Sequence, residues 1–439
     1  MNNPADTIFA PATARGRAGV AMVRLSGPQA GFALKALTGR LPEPRQARLA
    51  GLTDPRDGEL IDRALILWFP GPESFTGEDV VEFHIHGGAA VLAGLTGALS
   101  AMPGCRLAEP GEFSRRAFEH GKLDLTEAEA IADLVAAETG AQRRQALHQL
   151  GGSVARTTAD WTARLIRSLA YLEAVLDFPD EELPEDLFER VGSETARLSE
   201  EIRHHLADGR RGEIVRDGMS IAIIGPPNSG KSSLLNALAG RDAAIVSATA
   251  GTTRDIIEIH LDLGGYPIVL ADTAGIRESA DPIEAEGVAR ARRRAEMADM
   301  CLILLDVQVD VSRETVAALM PGTGVETLIV RSKCDLQPAP PGELAISVET
   351  GQGIDTLIRR IGEKAEALLA GPAPLITRER HRAALEQCLM ALDRSGTALE
   401  AALIAEDLRL ALRAIGQITG KVDVEDLLDL IFREFCIGK

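Results

Sequence analysis

Gly225-Pro226-Pro227-Asn228-Ser229-Gly230-Lys231-Ser232 has the spacing G-x-x-x-x-G-K-[ST]. A loop of this kind turns several backbone N–H groups toward one point at the positive end of a helix. That geometry holds phosphate oxygens. Lys231 adds a point charge for β and γ phosphates, and the Ser232 hydroxyl offers a hard oxygen ligand to Mg²⁺. A chance glycine-rich turn is the bland alternative. Against it, the loop follows an apolar strand-like run and opens onto Ser233-Leu234-Leu235, the start of an apolar helix.

Four further segments follow in order. Gly251-Thr252-Thr253-Arg254-Asp255 is a polar loop able to close over a γ-phosphate, with Thr253 as a second hydroxyl for Mg²⁺. Asp272-Thr273-Ala274-Gly275 follows a strand. It puts a carboxylate at the outer shell of the metal and the Gly275 N–H near the γ-phosphate. Ser332-Lys333-Cys334-Asp335 also follows a strand, and the Asp335 carboxylate can accept from N1–H and the 2-amino group of guanine. Adenine lacks that donor pair, so a carboxylate here selects GTP over ATP. Ala345-Ile346-Ser347-Val348 fits a last base-contacting loop. The set resembles translation-factor-like GTPases, with two departures: Ser332 stands where Asn is usual, and Val348 where Ala is usual. Ser has less reach, so modest guanine affinity is expected.

Hydrolysis needs a group that orients water. In many GTPases it is a Gln directly after the Asp-Thr-Ala-Gly segment, but here that residue is Ile276. Glu278, two residues on, can act as base or hold a bridging water. Read singly, it is a solvated loop carboxylate. Asn228 can help coordinate a monovalent cation beside the phosphates, and K⁺ there would supply charge that an arginine finger supplies elsewhere.

These loops need a scaffold. Apolar runs at 220–224, 268–271, 301–305 and 327–330, with helical stretches between some of them, predict a mainly parallel, doubly wound sheet covered on both faces. We place this domain at 216–375. Before it, Trp161, Leu165, Leu169, Leu172 and Leu176 mark one helix face, Pro179 and Pro184 break it, and Leu198, Ile202 and His205 resume it. After Gly371-Pro372-Ala373-Pro374 the chain is helical again. The G domain therefore reads as an insertion into a helical domain of 121–215 plus 376–439. Residues 1–120 carry strand-like runs at 20–25, 64–69 and 80–86, punctuated by Gly-Pro pairs, and predict a small α+β domain.

The 439 residues suit two to four domains at roughly 100–200 residues each. With 45% apolar but only 3% aromatic residues, the cores must be mostly aliphatic. A net charge of −18 excludes binding nucleic acid through bulk charge, so any RNA contact needs a local basic patch or a basic partner. Five scattered cysteines without a CxxC pair predict reduced thiols and a cytoplasmic setting. No signal peptide and no apolar run of the ~18 residues needed to span a membrane are apparent.

Other segments carry a second resemblance, end to end. They are Asp6-Thr7-Ile8, Gly19 to Gly27 (Gly-Val-Ala-Met-Val-Arg-Leu-Ser-Gly), Ser74-Phe75-Thr76-Gly77-Glu78-Asp79, His86-Gly87-Gly88, Pro110-Gly111-Glu112-Phe113-Ser114, Arg116-Ala117-Phe118, Lys122-Leu123-Asp124-Leu125 and the ending Cys436-Ile437-Gly438-Lys439. Together they resemble the MnmE (TrmE) family. The resemblance implies a homodimer through the N-terminal domain. It implies a site for a tetrahydrofolate derivative (5-formyl- or 5,10-methylene-tetrahydrofolate) at Arg24, Glu82 and Lys122, with Lys439 close by. It implies K⁺-stimulated hydrolysis by dimerising G domains, with Asn228, Ser247, Thr249 and Thr252 as K⁺ ligands and Glu278 as the catalytic residue. It implies an FAD-dependent partner, MnmG (GidA), and tRNA as substrate. The pair would install a carboxymethylaminomethyl or aminomethyl group at C5 of the wobble uridine. Cys436 is then a candidate thiol of that chemistry, against the bland reading of a small apolar residue ending a helix face.

Two other classes share the G-domain motifs. A ribosome-assembly GTPase usually adds a second G domain or a basic RNA-binding domain. A membrane-remodelling GTPase needs an amphipathic tip. Neither feature is found. His84 and His86 share one strand face, lack a third ligand, and are read as structural.

Overall fold

The computed structural model describes residues 6–14, 16–177, 187–241, 243–245, 258–272, 295–309, 316–317, 319–322, 325–398, 400–422, 428, 431–432, 435 and 438; for residues 258, 271 and 272 it describes the backbone only. The chain divides into two compact units, Met1–Ala132 with Leu150–Ala170 and Leu408–Lys439, and Asp133–Gln149 with Tyr171–Asp407.

In the first unit six strands form one sheet: β1 Thr7–Pro11, β2 Ala18–Ser26, β3 Arg48–Thr53, β4 Leu60–Phe69, β5 Val80–Gly87 and β6 Cys105–Leu107, in the order β3-β4-β5-β2-β1-β6. All pairs are antiparallel except β1 with β6. Alternation decides the two faces. Val23 and Leu25, Ala64, Ile66 and Trp68, and Val81, Phe83 and Ile85 point to a core shared with α1 (Ala30–Thr38) and α2 (Ala89–Ser100). The intervening residues, Arg24, Leu65, Glu82 and His84 among them, point to the opposite face. Residues Leu125 and Ala128 of α4 (Leu125–Ala136), which follows α3 (Glu112–Glu119), share a core with Leu428, Ile431, Phe432 and Phe435. The end of the chain thus packs onto this unit.

Helices α5 (Gly140–Leu150), α6 (Ser153–Asp177), α7 (Leu187–Leu206) and α8 (Arg211–Asp217) come next. On α6, Trp161, Leu165 and Leu172 are buried as the spacing predicts, but Leu176 is exposed, and Arg164 and Ser168 join the buried stripe.

Among its described residues the second unit holds seven strands: β7 Met219–Ile224, β8 Ala244–Ile245, β9 Glu258–Leu263, β10 Tyr266–Asp272, β11 Met300–Asp306, β12 Glu326–Ser332 and β13 Leu344–Ala345. Their order is β13-β12-β11-β7-β10-β9-β8. Five run parallel, and β9 and β8 add an antiparallel edge. Ile221 and Ile223 face a core that includes Leu234, Leu235 and Leu238 of α9 (Lys231–Ala239) and Ile354, Leu357 and Ile361 of α10 (Ile354–Leu369). Ala222 and Ile224 face a second core on the other side, with Cys301, Ile303 and Leu305. Each such fully buried leucine or isoleucine contributes about 1.5–3 kcal/mol. The doubly wound sheet covered on both faces is therefore present. Helices α11 (Glu379–Ser395) and α12 (Ala401–Thr419) follow, and α11 packs along α7.

Among the described residues no helix is long and apolar enough to cross a membrane.

Candidate functional site

The parallel strands all end at one edge of the sheet, the place where α/β sheets bind ligands. At the end of β7, Gly225 leads into the phosphate loop. A Cβ on Gly225 would come within 2.2 Å of the Leu304 carbonyl oxygen, so only glycine lets this loop pass over β11. Asn228 is exposed and takes a φ of +62°, and Ser229 is buried. Gly230 caps α9, whose first residues are Lys231, Ser232 and Ser233. Both serines are exposed at the positive end of the helix. Lys231 Nζ folds over the loop and donates to the carbonyls of Gly225 and Pro226, 2.9 Å each. That keeps the ammonium inside the concavity a phosphate would enter.

The neighbouring strands deliver the other segments. β10 ends at Asp272, in register with Ile223 of β7, one residue from the end of that strand. β11 ends at Asp306, which sequence reasoning missed although it follows the apolar run 301–305. Lys333 Nζ donates to Asp306 Oδ2 at 2.6 Å. Burial alone would push the Asp306 carboxyl up, but the lysine and the Gln308 N–H outweigh it and hold it below the usual carboxylate range. β12 ends at Ser332, whose hydroxyl donates to the Ser229 carbonyl at 2.7 Å, with the Leu305 carbonyl at 3.3 Å. The two segments, 103 residues apart, are thereby joined. Asp335 is exposed at the loop's far end. The loop is closed from the other side: the Cys334 N–H donates to the Ile346 carbonyl at 3.1 Å, beside the buried Ser347. Ser347 Oγ accepts from the Thr350 N–H, and its own N–H donates to the Gln352 carbonyl, fixing the last loop.

The arrangement can do one kind of chemistry well. It offers a phosphate cradle, a lysine, a hydroxyl and a planar-base acceptor on one rim. Ser247, Thr249, Thr252, Thr253, Thr273, Ala274, Gly275 and Glu278 lie outside the described residues.

In the first unit Arg24 and Glu82 meet across β2 and β5, directly opposite in register. Arg24 Nη2 and Nε donate to Glu82 Oε1 at 2.9 and 3.2 Å. Glu82 Oε2 is left toward His84 Nε2, 3.6 Å away and otherwise without a hydrogen bond. The Arg24 guanidinium lies 5.3 Å from the Phe75 ring centroid and 5.9 Å from that of Phe113. Sequence reasoning passed over both rings as sites, although each sits inside a quoted motif. Lys122 is exposed and its chain runs alongside Gly77. Gly438 presses on β1: a Cβ there would meet the Pro11 carbonyl oxygen at 2.3 Å. Cys436 and Lys439 lie outside the described residues. Elsewhere, burial pushes the Cys301 and Cys388 thiols up to about 12 and raises that of Cys105, which keeps them protonated.

The other motifs are structural ties. Glu112 accepts from Arg106 and Arg116, and Glu78 from Arg116 and Ser26. His86 Nδ1 pairs with Asp62 at 2.8 Å. Among the described residues no group of three His, Cys, Asp or Glu could hold a metal ion.

Comparison with known proteins identifies the lineage. The GTP-binding protein TrmE N-terminus family matches residues 7–122, and the MnmE helical domain family matches 125–436. A tRNA modification GTPase MnmE of Parvibaculum lavamentivorans is 55% identical across 99% of this chain and 100% of its own. The chain belongs to the MnmE family. Proteins of the same name from Rhodospirillum rubrum and Paramagnetospirillum magneticum are each 54% identical over 99% of this chain, covering 99% and 100% of their own lengths. Among solved structures, the G domain of the T. maritima FeoB iron transporter aligns with 34% of this chain and 98% of its own, at 24% identity and a TM-score of 0.24, a likeness too loose to carry weight. This MnmE-family chain is a GTP-hydrolysing enzyme.

Proposed function

We propose that the chain hydrolyses GTP in the service of tRNA modification, at the wobble uridine, with a tetrahydrofolate derivative as one-carbon donor and the FAD-dependent MnmG (GidA) subunit as partner. One observation carries the nucleotide half: the ends of β7, β11, β12 and β13 bring the phosphate loop and the base loop to one rim, tied by Ser332 to Ser229. GTP lies with its phosphates over Asn228 to Ser233 and its base against Asp335, with Lys333 and Ser347 holding the base loop. Mg²⁺, when bound, would supply positive charge against the phosphates. Ser232, an exposed hydroxyl at the helix start, suits it, and Thr253 and Asp272 are the other groups assigned to it. K⁺ suits Asn228, whose exposed amide oxygen is a hard neutral donor, with Ser247, Thr249 and Thr252 completing the set. Glu278 takes the proton of the attacking water, the bond from the γ-phosphorus to the bridging oxygen breaks, and GDP and phosphate leave.

The folate half rests on Arg24, Glu82, Lys122 and Lys439. A pterin presents a guanine-like donor edge, which Glu82 Oε2 can accept. The glutamate tail of the folate suits a cation. Of the two rings beside Arg24, Phe113 is fully buried and Phe75 is partly exposed, so Phe75 is the ring that a flat ligand could meet. Gly438 lies against the end of β1, in the same unit as Arg24 and Glu82, which supports counting the neighbouring Lys439 and Cys436 with this site. The same face carries an unpaired apolar row, Leu49 opposite Leu65 at 69% and 40% exposure, which supports a homodimer formed there.

Two experiments bear on the nucleotide site. Asp335→Asn should move preference from guanine toward xanthine nucleotides, because the amide offers a donor to the xanthine carbonyl. Competition between GTP and XTP reads this, and unchanged preference means that Asp335 does not face the base. Steady-state hydrolysis should be fast in K⁺ and fall severalfold in Na⁺ at equal ionic strength, since the smaller ion leaves oxygens around Asn228 unsatisfied. Equal rates would remove K⁺ from the mechanism.

A further inference from the structure

Ser332 does two things that an asparagine at the head of this loop would do differently. Its side chain is buried, at 4% exposure, and it faces two carbonyl oxygens, those of Ser229 and Leu305. Carbonyls only accept, and a serine hydroxyl has one hydrogen. That hydrogen goes to the Ser229 carbonyl, 2.7 Å away, and so to holding the phosphate loop. An asparagine amide has two hydrogens. It can give one to the loop carbonyl and still offer the second to an acceptor on the base, of which N7 of a purine is one.

From this single-donor arrangement we propose that the chain binds guanine without a hydrogen bond from residue 332 to N7, and that Ser332 sets this relaxed reading of the base. The inference rests on Ser332-Lys333-Cys334-Asp335 being the base loop. It goes beyond that reading by naming an atom of the nucleotide that residue 332 leaves unread. The Asp335 carboxylate still separates guanine from adenine at the opposite edge of the ring. Residue 332 then leaves the N7 acceptor unread.

The test is a titration of full-length protein with GDP and with 7-deaza-GDP, in which a C–H replaces N7 and nothing can be accepted there. Wild type should bind both within a factor of two. Ser332→Asn should bind GDP more tightly and prefer it over 7-deaza-GDP by about three- to tenfold, the effect of one neutral hydrogen bond. A wild-type preference for GDP of fivefold or more overturns the proposal whatever the variant does, so the test survives a variant that folds poorly. A Ser332→Asn protein with unchanged melting temperature that still binds both ligands alike overturns the role of residue 332. The base-loop reading fails separately, through Asp335→Asn: unchanged GTP-to-XTP preference there would sink the loop assignment, whereas a large wild-type N7 preference sinks only this inference.

Discussion

Glu278→Ala is expected to lower GTP turnover by ~10²–10⁴ while leaving GTP affinity near wild type, the range for loss of general-base assistance. The expectation comes from a chemical vacancy in the sequence. Ile276 occupies the position from which many GTPases orient water, and an alkyl chain cannot hydrogen-bond to it. In the proposed site Lys231 serves the phosphates, Ser232 the Mg²⁺ and Asn228 the K⁺, which leaves the water unassigned. Glu278 lies six residues beyond Asp272, where β10 ends beside the phosphate loop. A carboxylate reached by so short a segment is the base we propose. Single-turnover hydrolysis with saturating nucleotide separates chemistry from binding. A rate within twofold of wild type would leave Glu278 a solvated loop residue and reassign the water to another group.

The second large effect is expected in the other unit. Arg24→Ala or Glu82→Ala should abolish binding of 5-formyltetrahydrofolate and spare GTP hydrolysis. Both side chains are 17% exposed, and Glu82 Oε1 is committed to Arg24. Removing Glu82 takes from the guanidinium its carboxylate partner, and removing Arg24 leaves Glu82 only His84, 3.6 Å away, so each variant loses both a contact and the orientation of its neighbour. A neutral, hydrogen-bonding Glu82→Gln should keep more of the fold's stability and still lose the donor edge of the pterin. Titration calorimetry measures the affinity, and thermal melting of the same preparations guards against unfolding. Unchanged affinity in both alanine variants would move the folate site elsewhere.

The sheet holding the nucleotide loops was legible because its strands are buried on both faces and read as continuous apolar runs, such as Cys301 to Leu305. The edge strands were less so. Glu258–Leu263 alternates polar and apolar residues and ends at Gly264-Gly265, a hairpin signal that a search for apolar runs passes over. β9 consequently adds an antiparallel edge to the expected parallel strands. On α6 the periodicity found Trp161 and Leu165 but placed Leu176 on a face that is exposed at that point. Long-range contacts carry no local signature. Nothing near Ser332 in sequence indicates that its hydroxyl reaches Ser229, and nothing in Phe75 or Phe113 alone indicates Arg24. Spacing nominated the residues of the phosphate and base loops, and topology brought the described ones together. For Arg24 and Glu82 it was the family resemblance that selected the pair, and the register of β2 against β5 that set them face to face.

GTP hydrolysis by this chain is proposed to serve wobble-uridine modification. The most direct measurement is nucleoside mass spectrometry of tRNA from cells lacking the protein, complemented with wild type or with Glu278→Ala. The 5-substituted wobble uridine should be missing without the protein, return with wild type, and stay low with Glu278→Ala. Full wobble modification in cells without the protein would contradict it.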